Sequence, residues 1–314
     1  MTKVKIKQHL WQLLRSNFRT NLSALKFPIE TILPVVFTLV VLTLSPQSSA
    51  GKYDGEYSPT WSPDGKYLAY HKNGHGFVWD MVIKNLDSGE VTNITNSQSM
   101  EVDGAFSPDG NQLVYSARHD KDWNIYIYDI HAKQTHELVN NQGKDNDPMW
   151  SADGKSVLFI SDRSGISQIH KIDLHTKIIN QLTNTSRAIS HLSLSDDGKY
   201  AIFDQYFEVA SEGAKKPGRS KIYQLNLESL AVEHLYSGPG SSMSGHKVGH
   251  SLYFSNNRAG NWDIYRVDLN TGEEQQVIDG PSNEMKGVID ASAEQIAFSY
   301  FAPQGGAKIK VVKL

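Results

Sequence analysis

The sequence predicts an all-β protein, a six-bladed β-propeller of four-stranded antiparallel blades. Three observations lead to this fold class. A turn phrase returns at a fixed interval, each repeat divides into short alternating strands, and the chain length accommodates six repeats. The phrase stands at Ser62–Gly65, Ser107–Gly110, Ser151–Gly154 and Ser195–Gly198, at steps of 45, 44 and 44 residues.

The second repeat shows the order of strands that we expect in every blade. Its apolar alternation predicts four strands of five to eight residues, without a helical period. The proline of the turn phrase suits a type I turn, and the glycine closes the turn where a positive φ is needed. The predicted strands are Glu101–Ser107, Gln112–Ser116, Trp123–Ile130 and Gln134–Val139, with a polar loop at Ala117–Asp122.

The later repeats are degenerate. His246–Gly249 replaces the turn phrase in the fifth repeat and Ser292–Gln295 replaces it in the sixth, while an insertion at Gln205–Arg219 lengthens the fourth. Residues 51–314 are long enough for six periods of 44 residues. The sixth repeat stops at its third strand. Either Gly51–Glu56 supplies the missing outer strand and clasps the ring, or the last blade has three strands.

Residues 1–50 differ from the rest of the chain and predict an export signal. Six basic residues and one acid precede an apolar run of 13 residues, Ile32–Leu44, and small residues follow. This order is typical of a secretory signal peptide, here with cleavage after Ala50. The run is shorter than the roughly 17–25 residues of a spanning helix, and an uncleaved N-terminal anchor is the alternative. Both interpretations place the propeller, residues 51–314, outside the cytoplasm.

Charge and cysteine content exclude several classes of function. The chain has 31 basic and 34 acidic residues; residues 1–50 hold six of the basic and one of the acidic, so residues 51–314 have 25 basic and 33 acidic residues and a formal charge of −8. Nucleic-acid binding needs a surplus of Lys and Arg, so we expect no nucleic-acid partner. The chain has no cysteine, which excludes disulfides, thiol catalysis and thiolate metal sites.

Five segments of the repeats share a recognisable pattern of residues: Trp61–Tyr70, Trp150–Lys155, Asp162–Gly165, Asn261–Tyr265 and Thr271-Gly272. In these segments the repeat resembles the bacterial WD40-like (PD40) repeat of TolB-like propellers. The resemblance covers residues 57–314 and implies a propeller in the bacterial periplasm. It leaves function open, because such repeats also occur before peptidase domains and in some polysaccharide lyases.

Two departures limit what the resemblance implies. TolB-like proteins carry a small α/β domain before the propeller, whereas here the repeats begin almost at the predicted cleavage site. We therefore do not expect the contact with an inner-membrane partner that such a domain makes. Peptidase relatives carry a hydrolase domain after the propeller, and this chain has no G-x-S-x-G nucleophile elbow.

Polar residues on one face of the propeller are the candidate binding residues. Loops between second and third strands gather there together with the connections between blades, and form a rim around the central channel. The loops contribute His71, His75, Arg118, His119, Asp120, Asp162, Arg163, Asn257 and Arg258, and the connections contribute Glu101, Asp103, Asp145, Asp147, His191 and Lys286.

Three arginines, Arg118, Arg163 and Arg258, occupy what we interpret as equivalent positions in three blades. They could form a ring of guanidinium groups for a carboxylate-bearing ligand. The alternative is that each arginine pairs with a neighbouring acid in its own blade.

Two histidines of the first repeat, His71 and His75, stand four residues apart in a Gly-rich loop. With a carboxylate they could hold a divalent metal. The alternative is a pair of solvated loop histidines, since this spacing fixes no common face outside a helix. We therefore expect no metal site and no cofactor.

These observations favour a non-catalytic envelope protein that recognises a protein or peptide on the polar face. A glycan is a further possible ligand, and contact with the membrane would occur only through an uncleaved N-terminal segment. The alternative is a lyase-type enzyme on acidic polysaccharides, in which arginines hold uronate carboxylates and a histidine-bound metal acidifies the α-proton.

Overall fold

A computed structural model describes residues 55–73, 78–119, 121–140, 143–209, 216–303 and 305–314. The predicted signal peptide, His75 and Asp120 lie outside these residues. The described chain forms 23 strands in five sheets, and none of its helices is long and apolar enough to cross a membrane.

The first sheet has eight strands and the others have four, four, four and three, counted over the described residues. The first comprises β1 (Glu56–Trp61), β2 (Tyr67–Asn73), β3 (Trp79–Asn85), β4 (Val91–Asn93), β5 (Met100–Phe106), β6 (Gln112–His119), β7 (Asp122–Asp129) and β8 (Gln134–Val139). The second comprises β9 (Asp145–Trp150), β10 (Ser156–Ser161), β11 (Gln168–Asp173) and β12 (Ile179–Gln181). The third comprises β13 (Ile189–Leu194), β14 (Tyr200–Val209), β15 (Lys216–Asn226) and β16 (Val232–Tyr236). The fourth comprises β17 (Ser242–Val248), β18 (Ser251–Asn256), β19 (Asp263–Asp268) and β20 (Glu274–Ile278), and the fifth β21 (Asn283–Ile289), β22 (Gln295–Phe301) and β23 (Ala307–Lys313).

All sheets are antiparallel meanders in chain order. The eight-stranded sheet consists of two such meanders, β1–β4 and β5–β8, joined by one parallel pair between Trp79 and Met100. This arrangement is a β-propeller of four-stranded antiparallel blades, as predicted. The first strand of each meander is the innermost strand.

The turn phrase closes the hairpin between the first and second strands of a blade. In the first turn, the Ser62 hydroxyl donates to Asp64 at 2.7 Å and accepts from the Tyr67 amide at 2.9 Å. The same pair of bonds recurs in the turns at 107, 151 and 195. Gly65 has φ +69°, which confirms the predicted need for glycine. We call the side of the molecule that carries these turns the turn face.

Three details differ from the sequence prediction. The predicted loop Ala117–Asp122 is largely strand, because β6 runs to His119 and β7 begins at Asp122. The insertion Gln205–Arg219 lengthens the hairpin of β14 and β15, with Gln205 paired to Lys221. In the fifth repeat, His246 is a residue of β17, and the turn that follows contains Gly249 with φ +55°.

The hydrophobic core lies between neighbouring blades. Phe159, Phe203, Phe254 and Phe298 stand at corresponding positions of successive blades, each at most 2% exposed. One cluster joins Ile125 and Val139 of the second meander to Phe159 of the next sheet. Residues that face a neighbouring blade on both sides of a sheet must be apolar, which explains the short apolar runs of the second strands.

The last sheet packs against the first. Trp61 donates its indole N–H to the Val288 carbonyl at 3.0 Å, and Ala297 belongs to the same apolar cluster as Leu68. Gly55 pairs in parallel with Ala307, at the start of β23. The described part of the last sheet has three strands. Residues 51–54 of the predicted clasp lie outside the described chain.

Candidate functional site

The innermost strands carry one residue each in the left-handed backbone region. These residues, which we call the channel positions, lie where the innermost strand shifts register against its neighbour, as in a β-bulge. A bulge re-aims a side chain, and the residues line one central cavity of about 190 Å³. The channel positions are Ser58, Asp103, Asp147, His191, Ser244 and Lys286, with φ between +47° and +54°.

The chemistry of the channel positions does not repeat. Lys286 donates from Nζ to Asp103 Oδ1 at 2.9 Å, joining β21 to β5. Burial lowers the pKa of Lys286, but the Asp103 carboxylate outweighs it and the net pKa is raised. Burial likewise raises the pKa of Asp103, yet the Lys286 ammonium holds it well below its usual range. The pair is therefore charged across the physiological pH range.

A second charged pair lies beside the first. His191 Nδ1 is 3.0 Å from Asp204 Oδ1, and the same carboxylate oxygen accepts from the Ser244 amide at 3.0 Å. Burial alone would lower the pKa of His191, but the charge of Asp204 and its hydrogen bond raise it overall. The imidazolium form is therefore more stable at this position than it is in a free histidine.

Asp147 differs from the other ionisable channel residues, which are paired. Its carboxylate makes no hydrogen bond or ion pair with any other residue that the structure describes. Burial first, and then repulsion from Asp103, raise the pKa of Asp147 to about 6, with Lys286 and His191 acting in the opposite direction. Above pH 6 the channel therefore holds a carboxylate without a counter-charge of its own.

The predicted site residues divide into a channel group and a rim group. We predicted Asp103, Asp147, His191 and Lys286, together with Glu101 and Asp145, in connections between blades. This placement was wrong, because all six lie within innermost strands. Asp204, in β14, is part of the site and was not predicted.

Arg163 is engaged within its own blade. Its guanidinium donates to Asp145 Oδ1 at 2.9 Å and to the Ser161 hydroxyl at 2.9 Å, and lies 5.2 Å from the centre of the Phe159 ring. Asp145 is fully buried, and Asp162 accepts from the Lys144 amide at 2.8 Å. Arg163 therefore pairs with an acid of its own blade, which is the alternative to a ligand-binding ring of arginines.

Arg258 is also engaged, with one partner in its own sheet, Glu274, and one in the preceding sheet, Tyr236. It donates to Tyr236 Oη at 2.7 Å, forms an ion pair with Glu274, and lies 4.2 Å from the centre of the Tyr265 ring.

Arg118 is not equivalent to the other two arginines. Strand pairing sets Ala117 opposite Glu101 and Ser161 opposite Asp145, so the counterpart of Arg163 is His119. Arg118 and His119 are both exposed, and the His119 ring lies 5.5 Å from that of Tyr126. The tight hairpin of β6 and β7 causes this difference, since the matching connections in other blades are longer.

His71 is a packed histidine. It is 8% exposed, stacks on Tyr57 at 5.7 Å and meets the edge of Trp79 at 5.1 Å between ring centres. Burial lowers the pKa of His71 to about 4. His75, its proposed metal-binding companion, lies outside the described residues. No group of three or more potential ligands (His, Asp or Glu) that could hold a metal ion occurs among those described.

Together, the blades and the channel define a class of protein: a β-propeller whose innermost strands carry a charged central channel. The family model described as the TolB beta propeller domain (PD40) matches residues 55–213, just over half of the chain. The chain belongs to this family, as the sequence resemblance predicted. None of the curated protein sequences matches it.

Solved structures show the same fold at low sequence identity. TolB from Acinetobacter baumannii is 17% identical with a TM-score of 0.61, over 90% of this chain and 68% of that one. A putative TolB from Agrobacterium tumefaciens is 18% identical with a TM-score of 0.62, over 83% and 91%. An oligogalacturonate lyase in complex with manganese is 14% identical with a TM-score of 0.56, over 85% and 94%. TolB proteins and a lyase thus share this architecture, and similarity at this level establishes the fold alone.

Proposed function

We propose that the protein is a non-catalytic binding protein of the bacterial envelope, and that it recognises a peptide or protein segment at the mouth of the channel. The observation that supports this function is the unpaired carboxylate of Asp147, beside the Lys286–Asp103 ion pair. An unpaired charge in a partly buried site is costly unless a ligand supplies its partner.

A closed ring of six blades is part of this proposal. The channel positions come from β1, β5, β9, β13, β17 and β21, one innermost strand for each predicted repeat. The contacts of Trp61 and Gly55 with the last sheet support closure. A closed ring gives the channel a fixed mouth, and binding then requires little ordering of the protein.

The charge of the channel indicates the chemistry of the ligand. The carboxylate of Asp147 would form an ion pair with a cationic group of the ligand, such as a lysine or arginine side chain or an N-terminal ammonium. The ion pairs on either side are already satisfied, so they set orientation more than affinity. The rim residues Arg118, His119 and Asp162 would contact the rest of the segment.

Export is the remaining part of the proposal. The charged, apolar and small-residue order of residues 1–50 supports a periplasmic location, with the segment cleaved or retained as an anchor.

Site-specific photo-cross-linking in living cells tests the proposal. A photoreactive phenylalanine analogue replaces Arg118, which lies at the end of β6 opposite to the turn face; we call this opposite side the channel side. As a control, the analogue replaces the exposed Lys155 of the turn face. We expect a discrete adduct from position 118 and none from position 155. Asp147→Asn should abolish the adduct, while Asp122→Asn, an exposed acid on the channel side, should leave it unchanged. Equal adducts from both positions, or an adduct insensitive to Asp147→Asn, would contradict channel recognition.

A further inference from the structure

A second and larger cavity lies away from the channel, between the fourth sheet and the last. Its volume is about 330 Å³. On the fourth-sheet side it is lined by Val277 and Ile278 of β20 and by the connection that follows. On the other side it is lined by Glu284, Phe298, Tyr300 and Lys310 of the three-stranded sheet. Apolar side chains therefore line one part of the cavity, and ionisable side chains line the other part.

Glu284 is the unusual residue of this cavity. It is 1% exposed, and its Oε2 has no hydrogen-bond donor among the described residues. The acids at the corresponding positions of other blades each receive one donor, Arg163 for Asp145 and the Ser97 hydroxyl for Glu101, although their second oxygens have none among the described residues. A buried carboxyl without a donor costs free energy, so its retention points to a group that is supplied from outside.

A neighbouring carboxylate makes the need for a cation stronger. Asp263, also 1% exposed, accepts from the side-chain amides of Asn261 at 2.8 Å and Gln276 at 3.1 Å. Burial, followed by the hydrogen bond and charge of Asp263, raises the pKa of Glu284 to about 7. At pH 7 Glu284 is therefore protonated in about half of the molecules, with the proton shared with Asp263, and a cation can replace that proton.

The remaining groups of the cavity leave room for one more positive charge. Asp279 is the second carboxyl group at the cavity wall besides Glu284, and Lys310 is the one ammonium among the lining residues. Lys310 Nζ lies 3.3 Å from the centre of the Tyr300 ring, so this ammonium already rests on an aromatic face. Val277, Phe298 and Val312 form an apolar wall beside the carboxyls, suited to methylene groups.

We propose that this cavity binds an alkylammonium group, whose nitrogen donates to Glu284 while its methylene chain packs on Phe298 and Val312. The group would be a lysine side chain of a partner or a free aliphatic amine. The site is independent of the channel and of the function proposed for it.

Isothermal titration of the full-length chain tests the proposal with two probes, pentylamine and Nα-acetyl-lysine N-methylamide. We expect both to bind at pH 8, and 1-pentanol, which has the same chain without the charge, to bind at least tenfold more weakly. Pentylamine without the lysine probe would indicate a free amine as the natural ligand; the reverse would indicate a side chain. At pH 7, binding should release about half a proton, seen as a dependence of the heat on buffer ionisation.

Variants separate the site from general effects on the protein. Glu284→Gln should weaken pentylamine binding about tenfold or more, and Glu284→Asp, which keeps the charge, should retain part of it. Glu294→Gln, an exposed glutamate in the same sheet, should change nothing. Absence of amine binding, equal affinity in Glu284→Gln, or equal binding of pentanol would each overturn the proposal. Thermal melting of each variant verifies that it is folded.

Discussion

The turn face and the channel repeat the same backbone but differ in what the repeated positions carry. On the turn face the side chains repeat as well, since the Ser–Asp hydrogen bond recurs at 2.6–2.7 Å in four turns. Along the channel the backbone recurs, with φ near +50° at every channel position. The side chains there are serine, aspartate, histidine and lysine.

The difference separates structural repetition from chemical specificity. In each turn the serine hydroxyl and the aspartate carboxylate bond to one another and to amides of the same turn; Asp196 of the fourth turn also bonds to the turn of the next blade. In the channel, Lys286 depends on a side chain from another blade, Asp103. Function in this fold is therefore expected where the backbone is symmetric and the side chains are not.

The largest expected effect is that of acid on His71, at the channel side of β2. Its pKa is about 4 in the folded protein against 6.5 in the unfolded chain, so the unfolded chain binds more protons between these values. Stability is therefore full above pH 6.5 and falls with acidification, by at most about 1.4 kcal/mol per pH unit, down to pH 4.

His71→Phe should flatten this part of the stability profile, as urea denaturation from pH 4 to 7 would show. His246, on β17 near the turn face, also has a pKa lowered to about 4 by burial. His246→Phe is therefore the matched comparison, and it should flatten the profile to a similar extent. An unchanged acid dependence in His71→Phe would mean that His71 is not buried in its neutral form.

The next effect follows from removing one partner of the Lys286–Asp103 pair. Lys286→Ala leaves the Asp103 carboxylate in the channel without its cation, and we expect a loss of about 2 kcal/mol in the free energy of unfolding, because the pair is only partly exposed. Lys199→Ala, which breaks an exposed turn-face pair with Asp197, should cost less than about 0.5 kcal/mol. Equal losses would remove the contrast between the two regions.

Replacement of an aspartate by asparagine should change the stability of the protein in opposite directions in the two regions. The pKa of Asp147 is raised from 3.8 to about 6, so its stabilising proton is lost as the pH rises through this window. Asp147→Asn should therefore stabilise the protein above pH 6, by about 1 kcal/mol given its partial exposure to the channel. Asp153→Asn should destabilise it by about 0.5–1 kcal/mol, because Asp153 accepts from Ser151 and from the Lys155 amide. Thermal melts at pH 8 decide the sign.

The smallest effect tests the symmetry of the turn face. Ser→Ala at residues 62, 107, 151 and 195 removes the same two hydrogen bonds each time, and each should cost about 0.5–1 kcal/mol. The four values from urea denaturation should agree within about 0.5 kcal/mol. A scatter of several kcal/mol would show that the turns are not independent units.

The repeat and its turn chemistry could be read from the sequence because they are local. Ser, Pro, Asp and Gly interact within six residues, so no knowledge of the rest of the fold is required. The channel positions also carry a local signal, since Ser58, Asp103, Asp147 and His191 each stand four residues before the serine of a turn phrase. This fixed spacing from the turn phrase indicates that these residues lie in innermost strands and not in connections between blades.

The rest of the site depends on contacts between distant segments. Nothing near His71 in the sequence shows that Tyr57 and Trp79 enclose its ring. Asp204 is a single acid within an apolar strand, and its partner His191 lies on the neighbouring strand. The register of Arg118 does not follow from the sequence, because the connection from β6 to β7 is a few residues shorter than those of the other blades and no local motif marks the difference.

The pairing of Gly55 with Ala307 has a mechanical consequence. Gly55 is held by one parallel bridge to the start of β23 and by its carbonyl, which accepts from the Asn73 amide at 3.0 Å. A force applied to the polypeptide ahead of Gly55 would therefore act first on the contact between the first and last sheets. Separation of these two sheets would then be the first step of mechanical unfolding when the protein is pulled from this end.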